Sequence, residues 1–316
     1  MIIDISKHSE YIHGKLGPNP FSRSIYPLDI LKASTGLDVC FITNSSRCQI
    51  SFTVNHLVNV VPFIGRVLMN GINYVVYDYY HNIMALECSP PQISNDAKSF
   101  VNIYNNPKKQ YLEYHFHLPH FNVPSSFYIE IDDDCSITPV INKTSILFLG
   151  GGTVMGRGAT FSTSTYSKII ATKLRSDTIN LGVNGGFYYK GLVESAIEKC
   201  SPNFIIAELI DNFTTYNMVN LSLKQYITSI SKCNVPVVFI EPTFNNLAEN
   251  FLETQKLAEE IFLELKPIFT APVFLIKSST ILKGYTIEQA SISQYIINDV
   301  GHYCIANRIN ELIEVL

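Results

Sequence analysis

The chain has no tryptophan, no Cys-x-x-Cys pair and no excess of positive charge. Its 316 residues carry 23 Lys and Arg against 27 Asp and Glu, a formal net charge of −4. Such a balance does not build a polyanion-binding surface, so nucleic acid is disfavoured as a partner. Seven cysteines, an odd set without paired spacing, argue against both a disulfide framework and a zinc knuckle. They read as reduced, mostly buried thiols. No uninterrupted apolar stretch is long enough to span a bilayer, and the opening Met1-Ile2-Ile3-Asp4-Ile5-Ser6-Lys7-His8 has an acid where a signal peptide has its apolar core. The expectation is a cytoplasmic protein without membrane contact. The missing tryptophan excludes nothing by itself.

Hydrophobic content of 47% is that of an ordinary globular protein. The chain is longer than one hydrophobic core usually spans, so two domains are expected. Residues 1–20 are polar, with Gly17, Pro18 and Pro20 near their end, and read as an arm or lead-in strand. Residues 21–140 follow a strand pattern. Val39–Ile42 and Ile50–Val54 flank a polar turn, Asn73–Tyr77 is aromatic and β-branched, and Tyr111–Leu118 and Ser126–Ile131 alternate. No helical period is evident. Short strands separated by turn signals predict an antiparallel β-sandwich. His115 and His117 share one face of a strand there, with His120 close by. No carboxylate or cysteine completes a ligand pattern, so they read as a solvated face rather than a metal site. Asp132-Asp133-Asp134 reads as a loop charge run, because its spacing is not that of a calcium loop.

From residue 141 the texture changes. Ile146–Leu149 is a short apolar run, read as a buried strand of a parallel sheet. Gly150-Gly151-Gly152 follows at once, allowing a sharp turn that leaves backbone N–H groups open to a ligand. An amphipathic segment, Tyr166–Leu174, comes next. Strands at Thr178–Leu181, Phe204–Leu209, Val235–Ile240 and Pro272–Ile276 alternate with helices at Leu192–Cys200, Leu221–Ser231 and Leu247–Leu265. A helix from Ser293 to Leu316 ends the chain, with Ile305, Ile309, Leu312 and Ile313 on one face. This alternation predicts a three-layer α/β/α, flavodoxin-like domain with a parallel sheet over 141–316. Gly150–Gly152, Asn184-Gly185-Gly186 and Asp211-Asn212 then converge at the carboxyl ends of three strands, where such sheets bind ligands.

These residues resemble the Ser-Gly-Asn-His (SGNH) hydrolases, or GDSL-type esterases, in the branch with an N-terminal β-sandwich. The family's Gly-x-Ser-Ile-Thr-x-Gly is similar to Gly150-Gly151-Gly152-Thr153-Val154-Met155-Gly156. Its Asn-Leu-Gly-x-Ser-Gly is similar to Asn180-Leu181-Gly182-Val183-Asn184-Gly185. Glu208 and Asn212 fit its third block, and Asn298-Asp299-Val300-Gly301-His302 with Ala306 fits the tail of its last. In the first half, Val39-Cys40-Phe41-Ile42-Thr43-Asn44-Ser45 and His117-Leu118-Pro119 are similar to phrases of the sandwich branch.

The resemblance implies a nucleophilic Ser, a His base with its Asp, and an oxyanion hole. Carried across, the nucleophile falls on Gly152, the Asp on Ser293 and the His on Ile296. Glycine has no group to attack a carbonyl, and Ile296 cannot move a proton. The hole donors persist as Gly185 and Asn212, beside Gly151 and Gly152 as ligand-binding positions. Asp299 and His302 have the Asp-x-x-His spacing themselves and stand as an alternative catalytic pair, with Thr153 a displaced nucleophile. The implied function is a non-hydrolytic binder of an acyl, carboxylate or acylated-sugar ligand. The alternatives are an active esterase, acyltransferase or thioester-handling enzyme using His302 and Asp299, and a protein-interaction module with a protein partner on the sandwich. Neither a cofactor nor a resident metal is implied.

Overall fold

Alternating apolar residues in the first half and continuous apolar runs in the second produce two kinds of sheet. The computed structural model describes residues 1–14, 35–54, 66–89, 98–102, 104–182, 191–210, 214–241, 249–293 and 296–314. The chain divides into two compact units. One holds Met1–Lys143 with Thr160–Thr163, and the other holds Thr144–Ala159 with Ser164–Leu316.

The first unit is a pair of antiparallel sheets. Strands β1 (Ile2–Asp4), β4 (Cys48–Val54), β7 (Lys98–Asn102) and β9 (Pro124–Ile131) form one sheet in the order β1-β9-β4-β7. Strands β3 (Asp38–Thr43), β5 (Ile72–Tyr77), β6 (Ile83–Ser89), β8 (Leu112–His117) and β10 (Ile137–Pro139) form the other, in the order β10-β3-β8-β5-β6. Strand β2 (Ile12–His13) pairs with β3. The opening residues are therefore sheet members. Alternation does the work: Ile50, Phe52, Phe127 and Ile129 from one sheet meet Val39, Phe41, Tyr74, Tyr114 and Phe116 from the other in a single buried cluster. A short helix, Arg66–Asn70, and the strands β6, β7 and β10 have no counterpart in the sequence reading.

The second unit carries a five-stranded, all-parallel sheet. Its strands are β11 (Ser145–Gly150), β12 (Asp177–Gly182), β13 (Phe204–Glu208), β14 (Val237–Ile240) and β15 (Val273–Ile276). The order β12-β11-β13-β14-β15 is the flavodoxin-like one. Both faces are covered, which is why these strands read as unbroken apolar runs. Ile146, Phe148, Ile206, Val238 and Ile240 pack under the helices Tyr166–Leu174 and Asp299–Ile313. On the opposite face, Phe239 meets Phe262 of the helix Glu249–Leu265 at 5.5 Å between ring centroids. The helices Leu192–Cys200 and Lys224–Ser231 share that layer, the second entered through a π-helical stretch, Val219–Leu223.

One boundary differs from the sequence reading. The terminal helix begins at Asp299 and not at Ser293, because the Asn298 side chain caps it by accepting from the N–H groups of Val300 and Gly301. Residues β16 (Ser291–Ser293) and β17 (Ile296–Ile297) pair as a small antiparallel ribbon instead. No helix among the described residues is long and apolar enough to cross a membrane. All seven cysteines are free thiols, with Cys40, Cys48 and Cys304 buried and Cys88 exposed.

Candidate functional site

Strand order reverses on either side of β11, so the carboxyl ends of β11, β12 and β13 frame the natural ligand position of this sheet. The chain leaves β11 at Gly150 and winds through Gly151–Gly158 in successive tight turns. Met155 N–H donates to Gly151 O at 3.2 Å, Gly156 N–H to Thr153 O at 2.9 Å and Arg157 N–H to Gly152 O at 2.9 Å. This is a coiled turn that uses its own carbonyls.

Three buried side chains from three other elements grip that turn. Glu208, last residue of β13, accepts the Gly151 N–H at 2.6 Å. Asn180 of β12 donates to Val154 O at 2.6 Å and, through its oxygen, accepts the Gly182 N–H at 2.9 Å. His302 of the terminal helix donates from Nε2 to Arg157 O at 3.2 Å. The grips fall at residues 151, 154 and 157, one per turn of the coil. Glycines let the pieces close. A Cβ on Gly182 would lie 2.6 Å from Met155 N, and one on Gly158, whose φ is +88°, would strike Ile297 O. Gly301 meets Ala290 O in the same way, which explains the Gly-His pair at the head of the helix.

His302 is fully buried. Its Nδ1 accepts the Tyr166 N–H at 3.4 Å, and its ring stacks on Tyr166 at 6.0 Å and 22°. Both ring nitrogens are thus engaged by backbone, which assigns the neutral tautomer with its proton on Nε2. Burial pushes its pKa down to about 4, against partial support from the Arg157 carbonyl and from Asp299. Tyr166 is buried too, and burial, with Glu208 close by, raises its phenol well above the ordinary range. Asp299 occupies the first turn of the terminal helix, where the helix dipole favours an acid.

The other sequence-singled residues fall as follows. Gly151 spends its N–H on Glu208. Gly152 accepts from Arg157 through its carbonyl. Ser293 is half-buried on the ribbon, and Ile296 is buried at 5% exposure. Thr153 is buried within the turn. Gly185, Asn184, Asp211 and Asn212 lie outside the described residues. In the first unit, the reading of His117 and His120 as a solvated face is corrected. Both are buried, and His117 Nδ1 bonds Asp38 Oδ1 at 2.7 Å. His115 contacts Glu113 and lies 3.5 Å from Cys40 Sγ. The periodicity put these residues on one face correctly but could not tell a covered face from a wet one. The acidic run is a loop staple: Asp132 accepts from the Ser46 N–H and hydroxyl, and Asp134 pairs with Lys109.

One residue escaped the sequence reading. Glu241 follows β14 as the next residue and is fully buried. Its Oε2 accepts from Gln255 Nε2 at 2.8 Å and from the Ser278 N–H at 3.4 Å. Burial pushes its pKa up to about 7, with Glu259 adding to the rise and the hydrogen bonds and Lys277 opposing it. The signal was an acid directly after an apolar strand, as at Glu208.

Comparison with known proteins follows this geometry. Residues 26–137 match the family model for the N-terminal (GxDLY) segment of SGNH-hydrolase-type esterases. Gly36-Leu37-Asp38 meets the first three places of that pattern, with Val39 and Cys40 in the last two. No curated protein matches the chain in sequence. Among solved structures, a protein from Bacteroides ovatus described as a GDSL-like lipase is similar with a TM-score of 0.82 at 16% identity, covering 99% of this chain and 96% of its own. A family two carbohydrate esterase from Cellvibrio japonicus is similar at 0.67 and 12% identity, covering 99% and 96%. The salicylyl-acyltransferase SsfX3 of a tetracycline biosynthetic pathway is similar at 0.68 and 12%, covering 92% and 86%. Family model and fold point the same way: residues 26–137 match the N-terminal segment of SGNH-type esterases, and the fold along the chain is similar to that of a GDSL-like protein.

Proposed function

We propose that this chain binds an acylated sugar, or another neutral acyl-bearing ligand, at the carboxyl edge of its parallel sheet without hydrolysing it. One observation carries the reading: Gly152 stands at the nucleophile's place, while the nearby imidazole, His302, has both nitrogens bound to backbone. An attacking group and a base with an open nitrogen are both required for acyl transfer through a serine-type mechanism. The Glu208 carboxyl takes the Gly151 N–H, a donor that an anionic ligand would need, which favours neutral ligands. Two of the fold's neighbours are carbohydrate esterases, one solved in complex with cellohexaose, which supports a sugar component.

The competing reading is acyl transfer by rebuilt chemistry with Asp299 and His302, for which the similarity to an acyltransferase is the support. It requires the buried imidazole to become accessible. Turnover of p-nitrophenyl acetate separates the two. The expected result is no rate above buffer for the intact chain. Turnover that disappears in Asn212→Ala would overturn the binder reading.

A further inference from the structure

The four-stranded sheet of the first unit has an outer face that the cleft chemistry does not use. Its inner side chains, Ile50, Phe52, Phe127 and Ile129, are locked in the core, so the backbone beneath the outer ones is rigid. On the outside, Ser51 of β4 lies opposite Tyr128 of β9, and Gln49 lies opposite Glu130, which in turn faces Ile2 of β1. These five residues line a shallow cavity of about 310 Å³. Tyr128 is 38% exposed and Ile2 is 69% exposed.

We infer that this cavity is a binding site for a neutral glycan. The described lining offers one aromatic ring, one aliphatic side chain, a hydroxyl, a carboxamide and a carboxylate, and the carboxamide, Gln49, accepts from the Arg47 guanidinium at 3.1 Å. A phosphate, sulfate or carboxylate ligand would meet the Glu130 carboxylate, while the nearby Arg47 already spends a donor on Gln49. An acyl chain would bury the Gln49 and Glu130 head groups against hydrocarbon. A pyranose satisfies both halves: its C–H face covers Tyr128 and Ile2, and its hydroxyls reach Gln49, Ser51 and Glu130. A cavity of this size sits at the small end of ligand sites, so it holds a short stretch of a sugar chain. The cavity belongs to the first unit and the sheet-edge cleft to the second. It rests on the proposed function only for the choice of probes.

The test is calorimetry on the full chain with cellohexaose and mannopentaose, preceded by a neutral-glycan array. Binding is expected, weakened at least about ten-fold in Tyr128→Ala, since one stacked ring is worth a factor of that order. Tyr128→Phe keeps the ring and should stay within about three-fold of the parent. Circular dichroism identifies any variant that fails to fold, and Gln49→Ala supplies a second, milder probe of the same cavity. Absence of binding to the array and to both sugars overturns the site. So does full affinity in Tyr128→Ala. Loss of binding in Asn212→Ala with Tyr128→Ala unaffected overturns this site and leaves the cleft reading intact. Loss in Tyr128→Ala alone supports it whatever the cleft does.

Discussion

His117 in the first unit and His302 in the second are both buried, yet their partners differ in kind. His117 faces the Asp38 carboxylate from the neighbouring strand. The ring nitrogens of His302 bond to backbone, the Tyr166 N–H on one side and the Arg157 carbonyl on the other. An acid behind an imidazole is the arrangement that a catalytic base needs, and here it belongs to the sandwich, where it ties β3 to β8. The imidazole beside the glycine turn has its nitrogens on backbone instead and serves as a clamp. Residue type and burial are the same in both units, so the partner alone decides what each histidine does.

The contrast is broken or sharpened by measurement. The largest effect is expected from His302→Ala, which leaves Arg157 O and Tyr166 N–H without their bond and opens a cavity beneath Tyr166. The expected loss is about 3 kcal/mol in urea denaturation followed by circular dichroism. A loss below about 1 kcal/mol would mean that the ring is not a clamp.

The pH dependence comes next. For His302 the folded pKa, about 4, lies below the ordinary 6.5. The unfolded chain then binds more protons between those values, so this group's stabilisation is complete above pH 6.5 and falls away towards pH 4. For Glu241 the folded pKa, about 7, lies above the ordinary 4.5. The folded chain binds more protons there, so stability is highest below pH 4.5 and declines towards pH 7. Each shift is worth about 3 kcal/mol at most. The two trends oppose each other between pH 4.5 and 6.5. Glu241→Gln should therefore convert a flat thermal-stability profile into one that rises from pH 4 to 6.5. A profile unchanged by the substitution would remove Glu241 from the account.

A smaller effect is expected in the first unit. Asp38→Ala strands the His117 nitrogen and should cost about 2 kcal/mol. A double-mutant cycle with His117→Ala should recover about 1 kcal/mol or more of coupling. Zero coupling would show that the pair is incidental. The smallest effect is a test of sufficiency. Gly152→Ser supplies a hydroxyl where the proposed reading puts the nucleophile, but no base, and ester turnover should stay at background. Appearance of activity would return His302 to the catalytic role.

Much of the fold was legible in the chain. Period-two alternation at Ile50–Val54 and Ser126–Ile131 announced strands with one buried face, and the unbroken run Ile146–Leu149 announced a strand covered on both. The glycine at 152 and the isoleucine at 296, on which the proposed binder reading rests, were equally legible, because residue identity is a fact of sequence. The start of the terminal helix was less so. Residues 293–297 suit a helix or a ribbon, and the Asn298 cap chose between them only once Val300 and Gly301 were in place.

The amino-acid order by itself determined which side chain stands at each position of the glycine turn and of the terminal helix, since no conformation supplies a group that the sequence does not hold. It also determined where strands and helices lie, through periodicity. Tertiary structure alone decided which polar groups are spent on the fold. Glu208, Asn180 and His302 are far apart along the chain, and their grip on one eight-residue turn exists only when three strands and the last helix meet. Burial of His117 behind Asp38, and the rise of Glu241 to about 7, have the same cause. Solvent exclusion is a property of packed neighbours, and no local pattern encodes it.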